Sequence, residues 1–475
     1  MNRSRLLVIA AHALVWSVAL VYLCGYAATY DLWAYLSQGR LIWETGAIPR
    51  VDHDSYLPTG PWICHNWLAS ALLYPFYLAG GDAALRAMTL VFMVGALVLA
   101  YRSARSAGAS PLGTLLVAAL AIPSLSVGGM PFRPAMISFV LLVLLLHWLR
   151  AGRAGWWIPV LFVAWVNLHA GVLIGLVVMG LWTAGSWREP AAMKRLAVLT
   201  AASAAATLVN PYHVRYWRMV WEILGDPNKD ITEWQPVAWF TNHYPEFQML
   251  VVLTLVVLLA ARVRDARCWL VLAFMAYAGS RQIRQIPLLG LAAVVLLPPI
   301  IEPWLRPLRE RAMRAPMPLL ERLLPMAAVA LAGLIVGLWL RSEPLWLRAP
   351  DRPNASGIYY PVGAVEFMKE RGVRGNLAVF FPWGEYAAWR LHGQCRVSAD
   401  GRHVSVFIRE AVNRSLDFSL GRAGWRALLT DYPTTLVLMP LSSPVTRALR
   451  REPGWELLYT DAGSALFARK PRQEP

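Results

Sequence analysis

The sequence predicts a polytopic α-helical membrane protein carrying a small C-terminal α/β domain. Three observations predict this. Of 475 residues, 57% are hydrophobic and only 15% charged, where soluble globular domains carry about 25% charged residues. The mean hydropathy is +0.45. The apolar residues form successive runs near the length of a membrane helix up to about residue 341, after which the pattern changes. An ordinary soluble enzyme, a disordered chain and a disulfide scaffold are excluded on composition.

The first apolar run, 6–28, follows Arg3 and Arg5 and has no convincing small-residue cleavage site, so it reads as a retained helix. A long amphipathic loop, 29–66, comes next. The stretch 67–79 is apolar but short, which predicts an interfacial helix. Further runs occupy 84–101, 111–127, 134–149, 156–168, 171–184, 194–210, 246–261, 267–280, 285–301 and 324–340. With the first they give about eleven transmembrane helices. The pair 156–168 and 171–184 is short enough to read alternatively as a hairpin dipping into the membrane.

Charge distribution orients the spans. With the N-terminus inside, 17 of the 26 basic residues before position 341 fall in inside segments, and ten of the fifteen acids fall outside. This asymmetry predicts an N-in, C-out protein of the inner (cytoplasmic) membrane, with an odd number of spans. The net charge of +17 is spread over short clusters between apolar runs, so it points to topology and not to nucleic acid.

Residues 350–475 alternate between strand and helix patterns. Strands are expected at 376–381, 434–439, 455–460 and 463–469, and helices at 361–371, 417–430 and 444–451. The division is therefore a membrane domain, 1–341, and an extracytoplasmic α/β domain, 350–475. The four cysteines show no metal spacing. Cys64 and Cys395 both fall on the outer side, where a disulfide between them is conceivable.

The candidate chemistry is also on that side. Asp31 follows the first span, where a carboxylate is costly unless solvated or used. It is a candidate general base, and equally a candidate N-cap for the amphipathic stretch that follows. Asp52 and Asp54 flank His53. With His65 they could hold Mg or Mn, the one cofactor these residues suggest. Asn167 and His169 interrupt a very apolar stretch. Asn210-Pro211-Tyr212-His213 ends another span and opens the loop carrying Glu233 and Trp234. Arg133, Arg281 and Arg284 stand at outer helix ends against the positive-inside trend, where they can bind a phosphate or snorkel to headgroups. No P-loop, GxSxG, HExxH, CxxC or dinucleotide fingerprint is present.

Several segments together resemble the glycosyltransferase C superfamily, most nearly bacterial proteins similar to protein O-mannosyltransferases and lipid A aminoarabinose transferases. They are the Asp after the first span, the run Gly46-Ala47-Ile48-Pro49-Arg50-Val51-Asp52-His53-Asp54-Ser55-Tyr56, and His65-Asn66-Trp67 before the interfacial helix. The Asn167-Leu168-His169-Ala170-Gly171 turn, the Glu233-Trp234-Gln235-Pro236 loop, Trp383-Gly384-Glu385-Tyr386 and Asp400-Gly401-Arg402 complete the set. The resemblance implies a polyprenyl-phosphate sugar as donor and a glycan, lipid or protein acceptor on the extracytoplasmic face of the cell envelope. It maps the family's first-loop acid to Asp31. Asp52, Asp54, His65, Asn66, Trp67, Asn167, His169, Glu233 and Trp234 become donor- or acceptor-binding candidates, and Arg133, Arg281 and Arg284 lipid-phosphate ligands. Where this group usually has H-E-W, the chain has Asn66, which is neither a base nor a strong metal ligand. Asp400 and Arg402 read as a turn salt bridge. A lipid-linked glycan transporter, a polysaccharide polymerase or ligase, and an inactive family member are the competing readings.

Overall fold

The computed structural model describes residues 3–23, 29–127, 132–225, 232–314, 318–342, 350–351 and 357–471. The chain divides into two compact units. A helical unit comprises Met1–Tyr26, Ala83–His213 and Pro227–Trp346, and an α/β unit comprises Ala27–Asp82, Val214–Asp226 and Leu347–Pro475. The first loop, within Ala27–Asp82, groups with the C-terminal residues in the second of these units.

Every apolar run read from the sequence lies on a helix. Among the described residues three helical stretches are long and apolar enough to cross a membrane: Arg5–Leu23, Trp67–Ser106 and Leu323–Arg341. A bent pair, Ile283–Leu296 and Pro298–Arg311 with 54° between them, makes a fourth if counted as one span. The others are shorter, among them Pro111–Ser126, Ala135–Arg150, Trp157–Leu168, Val172–Gly185 and Pro245–Ala260. Residues 24–28, the end of the first expected span, lie outside the described residues. The stretch 67–79 and the run 84–101 lie on two helices separated by a kink at Gly81 (φ 53°, ψ −139°), a conformation that glycine supplies cheaply.

The core of the helical unit is Ile286–Leu296, buried at every position. It packs against Pro111–Ser126 and Ala266–Arg281, and Leu125 fills the space over Gly290. Outward, Pro318–Ser342 exposes Leu323, Leu324, Met326, Val329, Leu334 and Leu338, and Pro245–Ala260 exposes Met249, Val252, Leu255 and Leu259. Apolar surface this continuous is unstable in water and suits lipid.

Among the described residues the α/β unit has five strands: β1 (Gly375–Val379), β2 (Cys395–Val397), β3 (Leu436–Pro440), β4 (Trp455–Thr460) and β5 (Ser464–Arg469). Their order is β2-β1-β3-β5-β4, with β1 parallel to β2 and β3, and β5 antiparallel to β3 and β4. Central β3 is buried along its length, as its unbroken apolar run requires. Asp461 Oδ1 accepts the N–H of Gly463 (2.8 Å) and Ser464 (2.6 Å), closing the β4–β5 turn. The outer edge of β2 is covered by the first loop: Val397 N–H donates to Asp54 O (2.7 Å) and Tyr56 N–H to Val397 O (3.2 Å). Gly60 and Ile63 add N–H bonds to Val406 O (2.8 Å) and Ser405 O (2.9 Å). These bonds tie residues 54–63 to the C-terminal sheet and remove an open strand edge.

Two expectations are corrected here. The helix expected at 417–430 is two, Arg409–Leu420 and Ala427–Thr430, because Gly421 (φ 63°) caps the first in the left-handed region. Cys64 and Cys395 are not joined. The Cys64 thiol donates to Gln38 Oε1 (3.3 Å) and the Cys395 thiol to Val373 O (3.4 Å), both from buried positions.

Candidate functional site

Within the α/β unit the two C-terminal motifs interlock through their glycines. A Cβ on Gly384 would lie 2.5 Å from Asp400 Cβ, and one on Gly401 would lie 2.6 Å from Glu385 Oε1. Only glycine at both positions lets the two motifs approach this closely. The approach buries Glu385 (3% exposed), Asp400 (0%) and Arg402 (9%) side by side.

Arg402 carries the electrostatics of this cluster. Its guanidinium donates to both Asp400 oxygens (Nε–Oδ1 3.0 Å, Nη2–Oδ2 2.8 Å) and to Asp52 Oδ1 (2.5 Å), and it lies between the Trp62 and Phe407 rings at 5.2 and 5.5 Å. The turn salt bridge expected at Asp400–Arg402 is present, and it extends to the first loop through Asp52. Asp52 also takes the Ser55 N–H on Oδ2 (2.9 Å). Burial pushes its carboxyl up, and Arg402 only partly offsets this.

Asp31 stands at the N-cap of the first-loop helix, Leu32–Thr45, but its side chain makes no cap hydrogen bond. The Ala34 N–H, third in that helix, instead donates to Glu385 Oε2 (3.3 Å). Asp31 Oδ1 approaches Gly401 from the same side as Glu385, 3.8 Å from the ideal Cβ position. Burial first, then the neighbouring charges of Asp31 and Asp400, push the Glu385 carboxyl well up. The first-loop helix is seated by Gly39, where a Cβ would meet Ser70 O at 2.3 Å.

The candidate metal ligands are not brought together. Asp52 is committed to Arg402, and Asp54 Oδ1 is paired with His392 Nδ1 (2.9 Å). Burial raises the Asp54 carboxyl, but the His392 bond and the nearby arginines outweigh it and hold it below the usual range. His65 lies in the turn before the Trp67 helix, its N–H on Ile63 O (2.9 Å). Among the described residues no group of three or more His, Cys, Asp or Glu is placed to hold a metal. Asn66 is buried and its carbonyl accepts the Ser70 N–H (3.0 Å), so it starts the helix at Trp67.

The remaining candidates belong to the helical unit. Arg133 grips Glu233 with both terminal nitrogens (2.8 and 3.2 Å). Burial raises the Glu233 carboxyl, but Arg133 and then Arg284 outweigh it and hold it below the usual range. The Arg284 guanidinium lies 4.9 Å over the Trp234 ring. The loop is pinned by Val237 N–H to Ser280 O (3.0 Å) and Ile283 N–H to Gln235 O (3.1 Å), which places Arg281 and Arg284 beside it. At the hairpin turn, Trp165 Nε1 donates to Ser138 Oγ (2.7 Å), which bonds His169 Nδ1 (2.8 Å); Gly171 N–H donates to the same nitrogen (3.0 Å). Asn167 Nδ2 ties Val163 O to Val209 O (2.8 Å each). Glu385 escaped the sequence reading, although an acid sits at the variable position of the W-G-x-Y segment.

No protein-family model and no curated protein matches the chain. Solved structures do. The chain is similar to ArnT from Cupriavidus metallidurans in the apo state (TM-score 0.50, 14% identity, 97% of each chain covered). It is likewise similar to the Archaeoglobus fulgidus oligosaccharyltransferase tethered to an acceptor peptide containing the NVT sequon (TM-score 0.52, 13% identity, 100% of this chain and 74% of that one). Both are membrane glycosyltransferases, and their fold is the one the sequence resemblance implies. At these identities the likeness defines the fold and leaves the reaction to be argued from the residues.

Proposed function

We propose that the protein is a membrane glycosyltransferase that moves a sugar from a polyprenyl-phosphate donor to an acceptor hydroxyl on the extracytoplasmic face. The observation that carries this reading is Asp31: a carboxylate at a helix N-terminus whose side chain does not cap that helix, on a fold shared with two glycosyltransferases. Asp31 removes the proton as the acceptor oxygen attacks the anomeric carbon. The bond from that carbon to the lipid phosphate breaks, and a single displacement inverts the configuration.

The test incubates the purified full-length protein with a panel of polyprenyl-phosphate sugars, with and without EDTA, and follows donor loss and lipid phosphate release by mass spectrometry. Turnover of one donor supports the reading, and its EDTA sensitivity decides metal dependence. Binding without turnover across the panel would favour a transporter or an inactive protein.

A further inference from the structure

The helical unit holds a cavity whose lining includes no residue assigned to sugar transfer. Its volume is about 360 Å³, and it is lined by Val8, Arg105, residues 108–112, Glu302 and Arg309. Ligand pockets run from about 300 to 1,000 Å³. The turn forming one wall is fixed by its backbone. The N–H groups of Ala107 and Ala109 both donate to Ala104 O (3.2 and 3.3 Å), and Gly108 takes φ 90°. Arg105 Nη1 donates to Ala109 O, which fastens the guanidinium to this turn. Both Glu302 oxygens are engaged: Oε2 accepts the Ser110 N–H (2.8 Å) and Oε1 accepts Arg309 Nη1 (2.9 Å). A Cβ on Gly113 would crowd Glu302 Oε2 at 3.2 Å, so glycine there keeps the carboxylate seated. Glu302 thus answers both Arg309 and the start of the Pro111–Ser126 helix. The lining keeps one positive charge in excess, that of Arg105.

We propose that this cavity binds the phosphodiester of an anionic phospholipid, with Arg105 as its principal ligand. Three features select that chemistry. A phosphodiester bears one negative charge, which matches the excess on the lining and suits a guanidinium fork. A free phosphate carries closer to two. Val8, Pro111 and Leu112 give the cavity an apolar side, which the glycerol and first acyl carbons of a lipid cover and a free anion does not. With both Glu302 oxygens taken, no carboxylate is left for the ammonium of a zwitterionic headgroup. The third feature is position. Each of the three helices that supply Val8, Arg105 and Arg309 carries another arginine one turn away: Arg5, Arg102 and Arg306. Basic pockets between membrane helices attract anionic headgroups, and the charge distribution predicts that this end faces inside. The inference stands apart from the role of Asp31.

The test uses the full-length protein, delipidated in detergent, and native mass spectrometry to count bound lipid. The wild type should retain phosphatidylglycerol in preference to phosphatidylcholine. Arg105→Gln should weaken phosphatidylglycerol binding by about 10- to 100-fold, the loss of one charge-assisted contact, and Arg105→Lys should recover part of it. Arg306→Gln is the control. It removes the same charge from an exposed arginine that is paired with Glu310 (3.1 Å) and does not line the cavity. It should bind as the wild type does. Leu112→Trp fills the cavity with no change of charge and should weaken binding too. A phosphatidylglycerol carrying a diazirine in its acyl chain should label the first helix around Val8. Should Arg105→Gln fail to fold, as judged by thermal unfolding, Leu112→Trp and the position of the label decide. Equal retention of the two lipids, or equal losses in Arg105→Gln and Arg306→Gln, overturns the proposal, since attraction by bulk charge then accounts for binding. Displacement of phosphatidylglycerol by millimolar inorganic phosphate would assign the cavity to the free anion and overturn the lipid as its ligand.

Discussion

Replacing Arg402 by methionine should open the α/β unit. The Arg402 side chain is 5% exposed, and its two carboxylate partners, Asp52 and Asp400, have wholly buried side chains. One guanidinium thus bridges two acids that are 348 positions apart in the sequence. Removing it leaves both buried without a counter-charge, at a cost of about 3–5 kcal/mol. Asp52→Asn is gentler. The Arg402–Asp400 pair stays balanced and the amide oxygen still accepts the Ser55 N–H, so the loss is about 1.5–3 kcal/mol for one charge-assisted bond. The assay is amide hydrogen exchange of the full-length protein in nanodiscs, read at Gly60, Ile63 and Val397, whose N–H groups join the first loop to the C-terminal residues. Arg402→Met should cut their protection by about two to three and a half orders of magnitude, and Asp52→Asn by less. Protection unchanged in Arg402→Met, or a larger loss in Asp52→Asn, would refute the view that this triad holds the unit together.

Other outcomes follow from the same geometry. Gly384→Ala drives a methyl to 2.5 Å from Asp400 Cβ, and should cost about 1–3 kcal/mol as overpacking, seen as faster proteolysis of the α/β unit. The Glu385 carboxyl is raised in the fold, so the stability it contributes is full below the ordinary glutamate value and is lost as pH rises through the folded value. Glu385→Gln should flatten that alkaline decline in thermal unfolding. The Glu233 carboxyl is lowered, so its contribution is present above the ordinary value and is lost as pH falls through the folded one. Because the Arg133–Glu233 pair is partly exposed, Glu233→Gln should cost no more than about 1 kcal/mol, read as exchange at Val237 and Ile283.

Much of this was legible in the sequence, for reasons that differ by element. The apolar runs announce helices because burial in lipid demands unbroken hydrophobicity. β3, β4 and β5 announce themselves through apolar or alternating patterns bounded by turn residues. β2 does not: it is three residues long and exists only because β1 and the first loop pair with it from either side. The break at Gly421 was signalled by the glycines at 421 and 424, which punctuate helices. The site was visible as residue types but not as partnerships. Asp52 looked like a metal ligand because nothing local shows that Arg402, 350 positions away, will claim it. Asp31 was legible as base or cap. Only the fold shows that Glu385 takes the capping bond.

The central claim is that Asp31 is the base of a lipid-linked sugar transfer. Its most direct test compares release of lipid phosphate from a polyprenyl-phosphate sugar by the wild type and by Asp31→Asn, with amide exchange at Val397 confirming that both are folded. Loss of a general base should slow release by about 10²–10⁴-fold. Release by folded Asp31→Asn at the wild-type rate would contradict the account.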